Sequence, residues 1–370
     1  MSARGPRVPG CTRRALICSL VPVCRAFSQK GRVWPAERRR YADPATEFLV
    51  ERLTDPTHAS LLPSPHARAM ARREGFLLYC SDRSGAWQVY RMEERTGESR
   101  ELSDAAALDP STLTLLRDER AFCYFDGGVL HRVSLGNLKD RQIYRSPEGW
   151  QPQGGLSLSP DGDEIALVER GPEGWALRLI RTGDGRATTV LVRSSRMYQP
   201  ILHPRRRQIA YLYEDGLWLA ARSGEPNYRL AAPAGRVRQA FWAADGKSLL
   251  YLHQPYEKGK LSAIRQYQLD SHSDRLVAAT SQFACFAFNS DGSVFVGASA
   301  NVASPHLLLL LRTSGRELTL CEHAAADPAT VQPRFSADSR RVHFQSDRDG
   351  KPAIYTMRVE GLVEPTDSQP

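Results

Sequence analysis

A repeat of about 44 residues constrains the fold of this chain more than any other feature of its sequence. The segments Ser81–Gly85 and Ser346–Gly350 have nearly the same sequence and are separated by six steps of that length. Each unit between them has an apolar strand, a polar hairpin tip, a second strand and a polar turn. The paired strands fall within residues 75–90, 120–133, 164–180, 208–220, 248–269, 294–311 and 341–355. Units of this length are typical of the four-stranded blades of β-propellers.

The seven units predict an all-β, seven-bladed β-propeller over residues 29–362. No window keeps apolar residues at helical spacing for three turns, whereas short β-branched and aromatic runs recur between glycine-containing turns. An additional strand candidate, Phe48–Leu53, precedes the first unit. We expect this N-terminal strand to pair with the last blade and close the ring, because closure removes an exposed sheet edge. Residues 363–370 form a predicted polar tail.

The first 28 residues have the composition of an export signal. They contain five arginines and no acidic residue, and an apolar run, Ala15–Cys24, precedes small residues at Ala26 and Ser28. The run is about ten residues long, too short to cross a bilayer, so a cleaved signal peptide is predicted over residues 1–28. Arg13-Arg14 also resembles a twin-arginine export signal. The expected location is periplasmic or secreted, and the alternative is a disordered basic tail.

The excess of positive charge does not indicate a nucleic-acid partner. The chain has 50 basic and 41 acidic residues, a formal net charge of +9. Removing the five arginines of residues 1–28 leaves 50 − 5 = 45 basic against 41 acidic residues. The rest of the chain is therefore nearly balanced, and no nucleic-acid binding and no membrane span are expected.

The four cysteines after residue 28 do not form a metal or redox motif. Cys80, Cys123, Cys285 and Cys321 are widely spaced, with no CxxC pair. Cys80 and Cys123 lie inside apolar strands, which predicts buried free thiols. Nucleophile-elbow, HExxH and phosphate-loop motifs are also absent from the sequence.

The spacing of the repeat predicts one ring of side chains at a mouth of the central channel. Counting back seven residues from the glycine position of each inner turn selects Arg68, Thr112, Gly155, Gln199, Gln239, Cys285 and Gln332. Amides donate and accept hydrogen bonds and guanidinium groups bind carboxylates, so Arg68, Gln199, Gln239 and Gln332 are the candidate substrate-binding residues. The alternative is that these polar residues fill a wet channel that has no specific ligand.

Several motifs resemble those of the oligogalacturonate lyases. They are Lys30–Pro35 followed by Arg52–Pro56, then Ile143–Trp150, Phe288–Ser293 and Phe344–Tyr355. The resemblance covers residues 29–360, although the SDRxG hairpins also occur in other bacterial propellers such as the Tol-system protein TolB. It implies β-elimination of acidic pectin fragments by a histidine base, with a manganese ion held mainly by histidines.

Carried over onto this sequence, the resemblance places non-matching residues at the reactive positions. The base position is Gln239, the metal positions are Cys285, Thr330 and Gln332, a glutamine ligand falls near Asp327, and an assisting arginine falls near Gly216. A glutamine amide does not titrate near neutral pH, so no catalytic residue is assigned. No cofactor is expected unless the site has been rebuilt for manganese, for which His323 and Asp327 are the candidate substitutes.

Three functions remain open from the sequence. The first is a pectin-fragment lyase with a relocated metal and base, and the second is a propeller that binds an acidic or neutral saccharide without turnover. The third is a TolB-like periplasmic propeller that binds a protein partner. The resemblance favours an exported propeller that acts on or binds acidic pectin-derived oligosaccharides, with a decayed β-elimination site.

Overall fold

Seven antiparallel sheets make up the fold in a computed structural model, which describes residues 29–73 and 75–362. The strands in chain order are β1 (Val33–Trp34), β2 (Arg39–Ala42), β3 (Leu49–Arg52), β4 (Ser60–Leu61), β5 (Phe76–Ser81), β6 (Gln88–Glu93), β7 (Ser99–Glu101), β8 (Thr114–Leu115), β9 (Ala121–Asp126), β10 (Val129–Ser134), β11 (Asp140–Arg145), β12 (Gln151–Pro152), β13 (Ser157–Leu158), β14 (Glu164–Gly171), β15 (Gly174–Arg181), β16 (Ala187–Arg193), β17 (Met197–Leu202), β18 (Gln208–Tyr213), β19 (Gly216–Ala221), β20 (Asn227–Arg229), β21 (Gly235–Trp242), β22 (Ser248–Pro255), β23 (Ala263–Gln268), β24 (Ser273–Ala279), β25 (Phe283–Phe288), β26 (Val294–Ser299), β27 (His306–Leu311), β28 (Glu317–Glu322), β29 (Arg334–Phe335), β30 (Arg341–Ser346) and β31 (Ala353–Arg358). Single 3-10 turns lie at Pro110–Thr112, Pro328–Thr330 and Glu360–Leu362.

Each sheet is one blade, and in blades 1 to 6 the four main strands follow chain order from the inside of the ring outwards, whereas in blade 7 the strand outside β31 is β3. Blade 5, for example, has the strand order β21-β22-β23-β24, and blade 6 has the order β25-β26-β27-β28. The second strand of a blade is covered on both faces by its neighbours, and all six residues of β5 and of β26 are buried. Such continuous apolar runs are typical of strands buried on both sides. The predicted seven-bladed propeller is confirmed.

The N-terminal strand closes the ring as predicted. β3 pairs antiparallel with β31, and Val50 lies opposite Met357. Val50 is fully buried and packs in one apolar cluster with Val342, Phe344 and Met357 of the last blade. Blade 7 therefore combines strands β2 and β3 from the N-terminal part of the chain with strands β29 to β31 from its C-terminal part, and this pairing closes the ring.

Two edge strands were not predicted from the sequence. β1 adds a fifth strand to blade 1 by pairing with β7, and β2 adds a fifth strand to blade 7 by pairing with β3. Both strands are short and half-exposed, with the mixed polar composition of edge strands.

The remaining sequence predictions have mixed outcomes. Cys80, Cys123, Cys285 and Cys321 are buried free thiols, which confirms the prediction for the first two. The predicted signal peptide, residues 1–28, and the polar tail, residues 363–370, lie outside the described residues. Within residues 29–73 and 75–362, no helix is long and apolar enough to cross a membrane.

Candidate functional site

The innermost strands of blades 4 to 6 share an irregularity close to the predicted ring. Strand pairing shifts register between Tyr198 and Ile201, between Val237 and Gln239, and between Phe283 and Cys285. A bulge of this kind bends the strand and changes the direction of the side chains beside it. The repeat of the bulge in three blades gives the channel mouth a common geometry.

Three ring positions also have left-handed backbone conformations. Gly155, Gln199 and Gln332 have φ angles of 69°, 50° and 43°. This region is strained for residues other than glycine, and such strain is concentrated at functional sites and tight turns. At Gly155 a side chain would also be tightly packed, since a Cβ atom would lie 3.0 Å from the Ser64 hydroxyl oxygen.

The segment Leu62–Arg68 of blade 1 crosses the channel. The Leu62 amide donates a hydrogen bond to Gln345 of blade 7 (2.8 Å), and the Pro63 carbonyl accepts one from Arg334 of the same blade. The His66 ring lies 4.8 Å from the ring of Phe241, on the opposite side in blade 5. This segment interrupts the innermost strand of blade 1 and forms a floor under the mouth.

The mouth has two adjoining cavities, of about 630 and 400 Å³. The larger cavity lies over blades 5 to 7 and the smaller one over blades 1 to 4. Pro65, Gln199 and Gln332 line both cavities and separate them. The volumes fall in the range of small-ligand sites, about 300–1,000 Å³.

The structure brings most of the predicted ring residues to this mouth. Gln199, Gln239, Cys285 and Gln332 line the larger cavity. Gly155 lines the smaller one, next to Gln199 and Gln332. Thr112 is buried, where its hydroxyl group donates to the Asp109 carbonyl (2.7 Å) and accepts from the Phe125 amide (2.9 Å).

The position predicted for Arg68 is wrong. Its guanidinium group pairs with the Glu119 carboxylate at 2.7 Å and donates to the carbonyls of Leu116 and Arg117, at the inner turn of blade 2. Arg68 lines neither cavity of the mouth. The counting rule fails in blade 1 because the channel-crossing segment lengthens the innermost strand, so seven residues no longer reach the mouth.

Several ring side chains are used to join neighbouring blades. The Gln199 side-chain amide donates to the Arg238 carbonyl (3.4 Å), and Gln239 Oε1 accepts from the Phe286 amide (2.9 Å). The Cys285 thiol donates to the Pro328 carbonyl (3.4 Å). These contacts run from blade 4 to 5, from 5 to 6 and from 6 to 7. Some of the polar side chains that were predicted to bind a ligand therefore connect neighbouring blades.

The side chain that the sequence resemblance places at the base position, Gln239, is fixed and uncharged. Gln239 is 4% exposed, and its side-chain oxygen is committed to the Phe286 amide. A primary amide neither gains nor loses a proton near neutral pH, so Gln239 is unsuited to remove a proton from a sugar ring.

The donors at the positions where the sequence resemblance places metal ligands do not fit a manganese ion. Burial raises the pKa of the Cys285 thiol to about 12, so this group is neutral near pH 7. The Thr330 hydroxyl group donates to the Asp327 carbonyl at 2.7 Å. Asp327 is the one carboxylate lining the larger cavity, and its Oδ1 accepts from the Ala329 amide at 2.9 Å. Manganese prefers carboxylate, carbonyl and water ligands, and this set supplies one carboxylate, Asp327, beside a neutral thiol and a hydroxyl group.

The substitute ligand His323 is occupied by structural contacts. It is fully buried, its Nε2 lies 2.9 Å from the Ser299 carbonyl, and its Nδ1 accepts from the Ala325 amide (3.1 Å). Burial lowers the pKa of His323 below its ordinary value. In the part of the chain that the structure describes, no group of three or more His, Cys, Asp or Glu side chains could hold a metal ion.

The lining of the mouth is cationic. Arg238 and Lys260 line the larger cavity and Arg196 lines the smaller one, against the single carboxylate of Asp327. The Arg238 guanidinium is oriented by Gln254, whose Oε1 accepts from its Nε at 2.8 Å. These charges favour an anionic ligand, because guanidinium groups pair with carboxylates.

One aromatic ring lies beside these cations, and a second is exposed in the loop that leads to Lys260. Arg196 lies 5.5 Å from the centre of the Tyr198 ring, in the smaller cavity. Tyr256, in the loop between β22 and β23, is 62% exposed, and its hydroxyl group donates to Asp215 at 3.1 Å. Exposed and oriented aromatic rings offer flat apolar surfaces to a ligand.

Sequence reasoning missed two channel residues, His66 and Arg334. Burial lowers the pKa of His66 to about 4, and burial lowers the pKa of Arg334 to about 10. The unusual length of the innermost segment of blade 1, which includes residues 62–68, was the signal that could have identified His66.

Gly216, where the sequence resemblance places an assisting arginine, also has a guanidinium group beside it. A Cβ atom at Gly216 would lie 2.6 Å from Nε of Arg229.

Comparisons with known proteins agree with the motifs in the sequence, although no family model matches the chain. An oligogalacturonate lyase from Dickeya dadantii is 22% identical over an alignment of 386 residues that covers 90% of this chain and 99% of the relative. An oligogalacturonide lyase from Pectobacterium atrosepticum has the same identity and coverage.

Two solved structures show the same architecture. One, described as oligogalacturonate lyase in complex with manganese, has a TM-score of 0.82 and 22% identity, covering 89% of this chain and 98% of that chain. An oligogalacturonate lyase from Vibrio parahaemolyticus has a TM-score of 0.82, 21% identity and the same coverage. The chain is therefore similar to oligogalacturonate lyases over 90% of its length and shares their seven-bladed propeller fold.

Proposed function

We propose that this protein binds acidic pectin-derived oligosaccharides at the channel mouth and does not cleave them by the histidine- and manganese-dependent β-elimination of its relatives. The observation that carries the proposal is the combination of a cationic mouth with Gln239 at the base position. Similarity to lyases named for oligogalacturonate supports the ligand class.

The residues of the mouth suit a uronate oligosaccharide. Arg238 and Lys260 offer charge-assisted hydrogen bonds to a carboxylate in the larger cavity, and Arg196 does so in the smaller one. Gln332, which borders both cavities, can donate to and accept from sugar hydroxyl groups. A ligand of two or more linked sugars could contact both cavities.

The same residues do not support elimination. The reaction needs a base at the proton beside the uronate carboxylate, and Gln239 has no titrating group near neutral pH. His66 lies next to Gln199, but its Nε2 atom is buried, and its pKa of about 4 makes it a weak base. We assign His66 to packing of the channel floor.

The test combines calorimetry with absorbance on one preparation of the protein. Trigalacturonate should release heat on binding, and ultraviolet absorbance should show no unsaturated product, with or without added manganese. A metal-dependent rise in absorbance would show an active lyase and refute the loss of catalysis. Absence of binding heat would refute the saccharide ligand.

Charge reversal at Arg238 should weaken trigalacturonate binding. Replacing the guanidinium with a carboxylate (Arg238→Glu) removes an ion pair and adds repulsion, so we expect affinity to fall by about 100-fold, roughly 3 kcal/mol. The matched control is Arg186→Glu, an exposed arginine in the turn before β16. Calorimetry on both variants measures the effect. Equal loss in the two variants would indicate a general effect of net charge instead of a site at Arg238.

A protein partner is the second candidate function. Leu261 and Val302 are 48% and 93% exposed, in loops that border the larger cavity beside Lys260 and Ala300. Exposed apolar residues near a concave surface are common at protein interfaces. If trigalacturonate does not bind, this rim is the surface to test for a protein partner.

We also propose export, on the composition of residues 1–28. Mass spectrometry of the mature protein should find an N-terminus at Gln29. An unprocessed N-terminus would favour the alternative of a basic tail.

A further inference from the structure

Blades 1 and 7 contain the same local arrangement of strands and an arginine-bearing hairpin. In both blades a fifth strand is added at the outer edge, β1 in blade 1 and β2 in blade 7. The strand registers make Arg32 and Trp34 of blade 1 equivalent to Arg39 and Tyr41 of blade 7. The hairpins Ser81–Gly85 and Ser346–Gly350 likewise make Arg83 equivalent to Arg348.

In blade 1 the hairpin arginine is neutralised by a carboxylate of the chain itself. The Arg83 side chain is 1% exposed, and its Nη2 lies 2.6 Å from the Glu37 carboxylate. Its guanidinium group lies 5.5 Å from the centre of the Trp34 ring. A second carboxylate, Glu101, is fully buried nearby and accepts from the Tyr90 hydroxyl group at 3.1 Å.

In blade 7 the arginine is in the same position but the carboxylates differ. Arg348 lies 5.4 Å from the centre of the Tyr41 ring, and its Nη1 donates to the Glu322 carbonyl at 2.6 Å. By the same spacing, Pro44 takes the place of Glu37. By strand register, Arg52 takes the place of Glu101.

These replacements leave an excess of positive charge. The four equivalent groups of blade 1 (Arg32, Arg83, Glu37 and Glu101) sum to zero. Those of blade 7 are Arg39, Arg348, Pro44 and Arg52, which sum to +3, and Asp349, which takes the place of Ser84, reduces the sum to +2. Asp349 is already shared, because its Oδ2 pairs with Arg52 at 3.2 Å and accepts from the Tyr355 hydroxyl group at 3.0 Å.

A cavity of about 540 Å³ lies where the carboxylate of blade 1 would be expected, lined by Arg39, Tyr41, Arg52, Asp55, Pro56, Arg348 and Asp349. Arg52 Nε and the Tyr41 hydroxyl oxygen are buried, and neither has a hydrogen-bond partner within the described ranges. Unsatisfied buried donors are costly, so an acceptor that entered this cavity would be stabilised by pairing with them. Asp55 at the edge reduces the net charge to +1, and its Oδ1 accepts from the Thr57 amide at 2.8 Å.

From this comparison we infer that the blade 7 cavity binds one small oxyanion, a carboxylate or a phosphate group, between Arg39, Arg52 and Arg348. The carboxylate of Glu37 shows, within the same chain, the type of group that this arrangement of arginine and aromatic ring accommodates. This cavity shares no lining residue with the two cavities of the mouth and is independent of the function proposed for them.

The test is calorimetry on the full chain at low ionic strength, with inorganic phosphate and with acetate as separate probes. We expect binding of at least one probe, and Arg39→Ala should lower its affinity by about tenfold through the loss of a charge-assisted contact. Arg39 is exposed, so this change should not impair folding. The matched control, Arg32→Ala, removes the equivalent exposed arginine of blade 1 and should leave the affinity unchanged.

A second variant tests the buried hydroxyl group. Tyr41→Phe removes a donor that has no partner within residues 29–73 and 75–362, so affinity should fall while thermal stability does not. Binding of phosphate alone would identify a tetrahedral ligand, and binding of acetate alone a carboxylate, with both supporting the site. If neither probe binds, or if Arg39→Ala and Arg32→Ala behave alike, the inference is overturned.

Discussion

The variant Val50→Asp should lose about 4 kcal/mol or more of its free energy of unfolding, an effect large enough to unfold many domains. Val50 is fully buried on the ring-closing strand β3, in one cluster with Val342, Phe344 and Met357. A carboxylate there would have no partner among these apolar side chains, and burial of an unpaired charge is strongly unfavourable. The change would separate β3 from β31 and open the ring.

The neighbouring residue provides a matched control. Leu49 is on the same strand and is 59% exposed, so Leu49→Asp should change the free energy of unfolding by no more than about 1 kcal/mol. Urea unfolding of both variants measures the difference. If Val50→Asp does not fold, Val50→Ala should still show a loss of about 2 kcal/mol from the cavity it creates. Equal midpoints for the Val50 and Leu49 variants would contradict the role of β3 in closing the ring.

The closing strand could be predicted from the sequence because its signal is local. Phe48–Leu53 is one apolar strand outside the count of seven complete units, and a propeller needs a partner for the free edge of its last blade. The edge strands β1 and β2 have no such signal. Apolar and polar residues do not alternate clearly in β2, which contains Arg39, Arg40 and Tyr41. One face of this strand is in solvent, and backbone groups make its pairing with β3.

The spacing of the repeat predicted the residues that line the channel mouth only in blades whose innermost strands have equal lengths. In blades 4 to 7 the interval between the inner turn and the mouth is the same, so counting placed Gln199, Gln239, Cys285 and Gln332 around one cavity. In blade 1 the segment 62–68 changes that interval, and the rule selected Arg68 in error. The cationic residues Arg196 and Lys260 lie beside the ring or in an outer loop, where this count does not reach.

The hydrogen-bond partners of the glutamine side chains in the ring could not be predicted from the sequence. A glutamine at a channel mouth can face a ligand or bridge two backbones, and the choice depends on which backbone amide lies opposite. For Gln239 that group is the Phe286 amide, 47 residues away in the next blade. Only the three-dimensional structure shows that the side chain of Gln239 makes a contact between blades.

Acidification from pH 7 to pH 5 should lower the free energy of unfolding by about 6 kcal/mol or more, because buried histidines are neutral in the folded protein. His66, His203 and His343 account for about 6 kcal/mol, and burial also lowers the pKa values of His253 and His323, which act in the same direction. Burial lowers the pKa of His66 and His203 to about 4 and that of His343 to about 3. Arginines reinforce the effect at each site: Arg334 near His66 and His343, and Arg206 near His203.

The direction of this change in the free energy of unfolding depends on whether the folded or the unfolded state binds protons first. In the unfolded chain a histidine has a pKa of about 6.5, so below that pH the unfolded state takes up protons that the folded state excludes. Stability is therefore complete above pH 6.5 and is lost as the pH falls toward the folded values, by about 2 kcal/mol per histidine at pH 5. Carboxylates of ordinary pKa remain largely ionised in both states over this range. Glu94, whose pKa is raised by burial, acts in the opposite direction as a single group.

One buried histidine can be separated from the others by substitution. His343 is 2% exposed between blades 7 and 1, and in the described part of the chain neither of its ring nitrogens has a hydrogen-bond partner, although Glu94 lies 3.8 Å away. His343→Gln should reduce the loss between pH 7 and pH 5 by about 2 kcal/mol, whatever its effect on stability at pH 7. The control His58→Gln changes a side chain that is 42% exposed and should leave the loss unchanged. Urea unfolding across this range tests both variants, and an unaltered pH dependence in His343→Gln would assign the acid sensitivity to other groups.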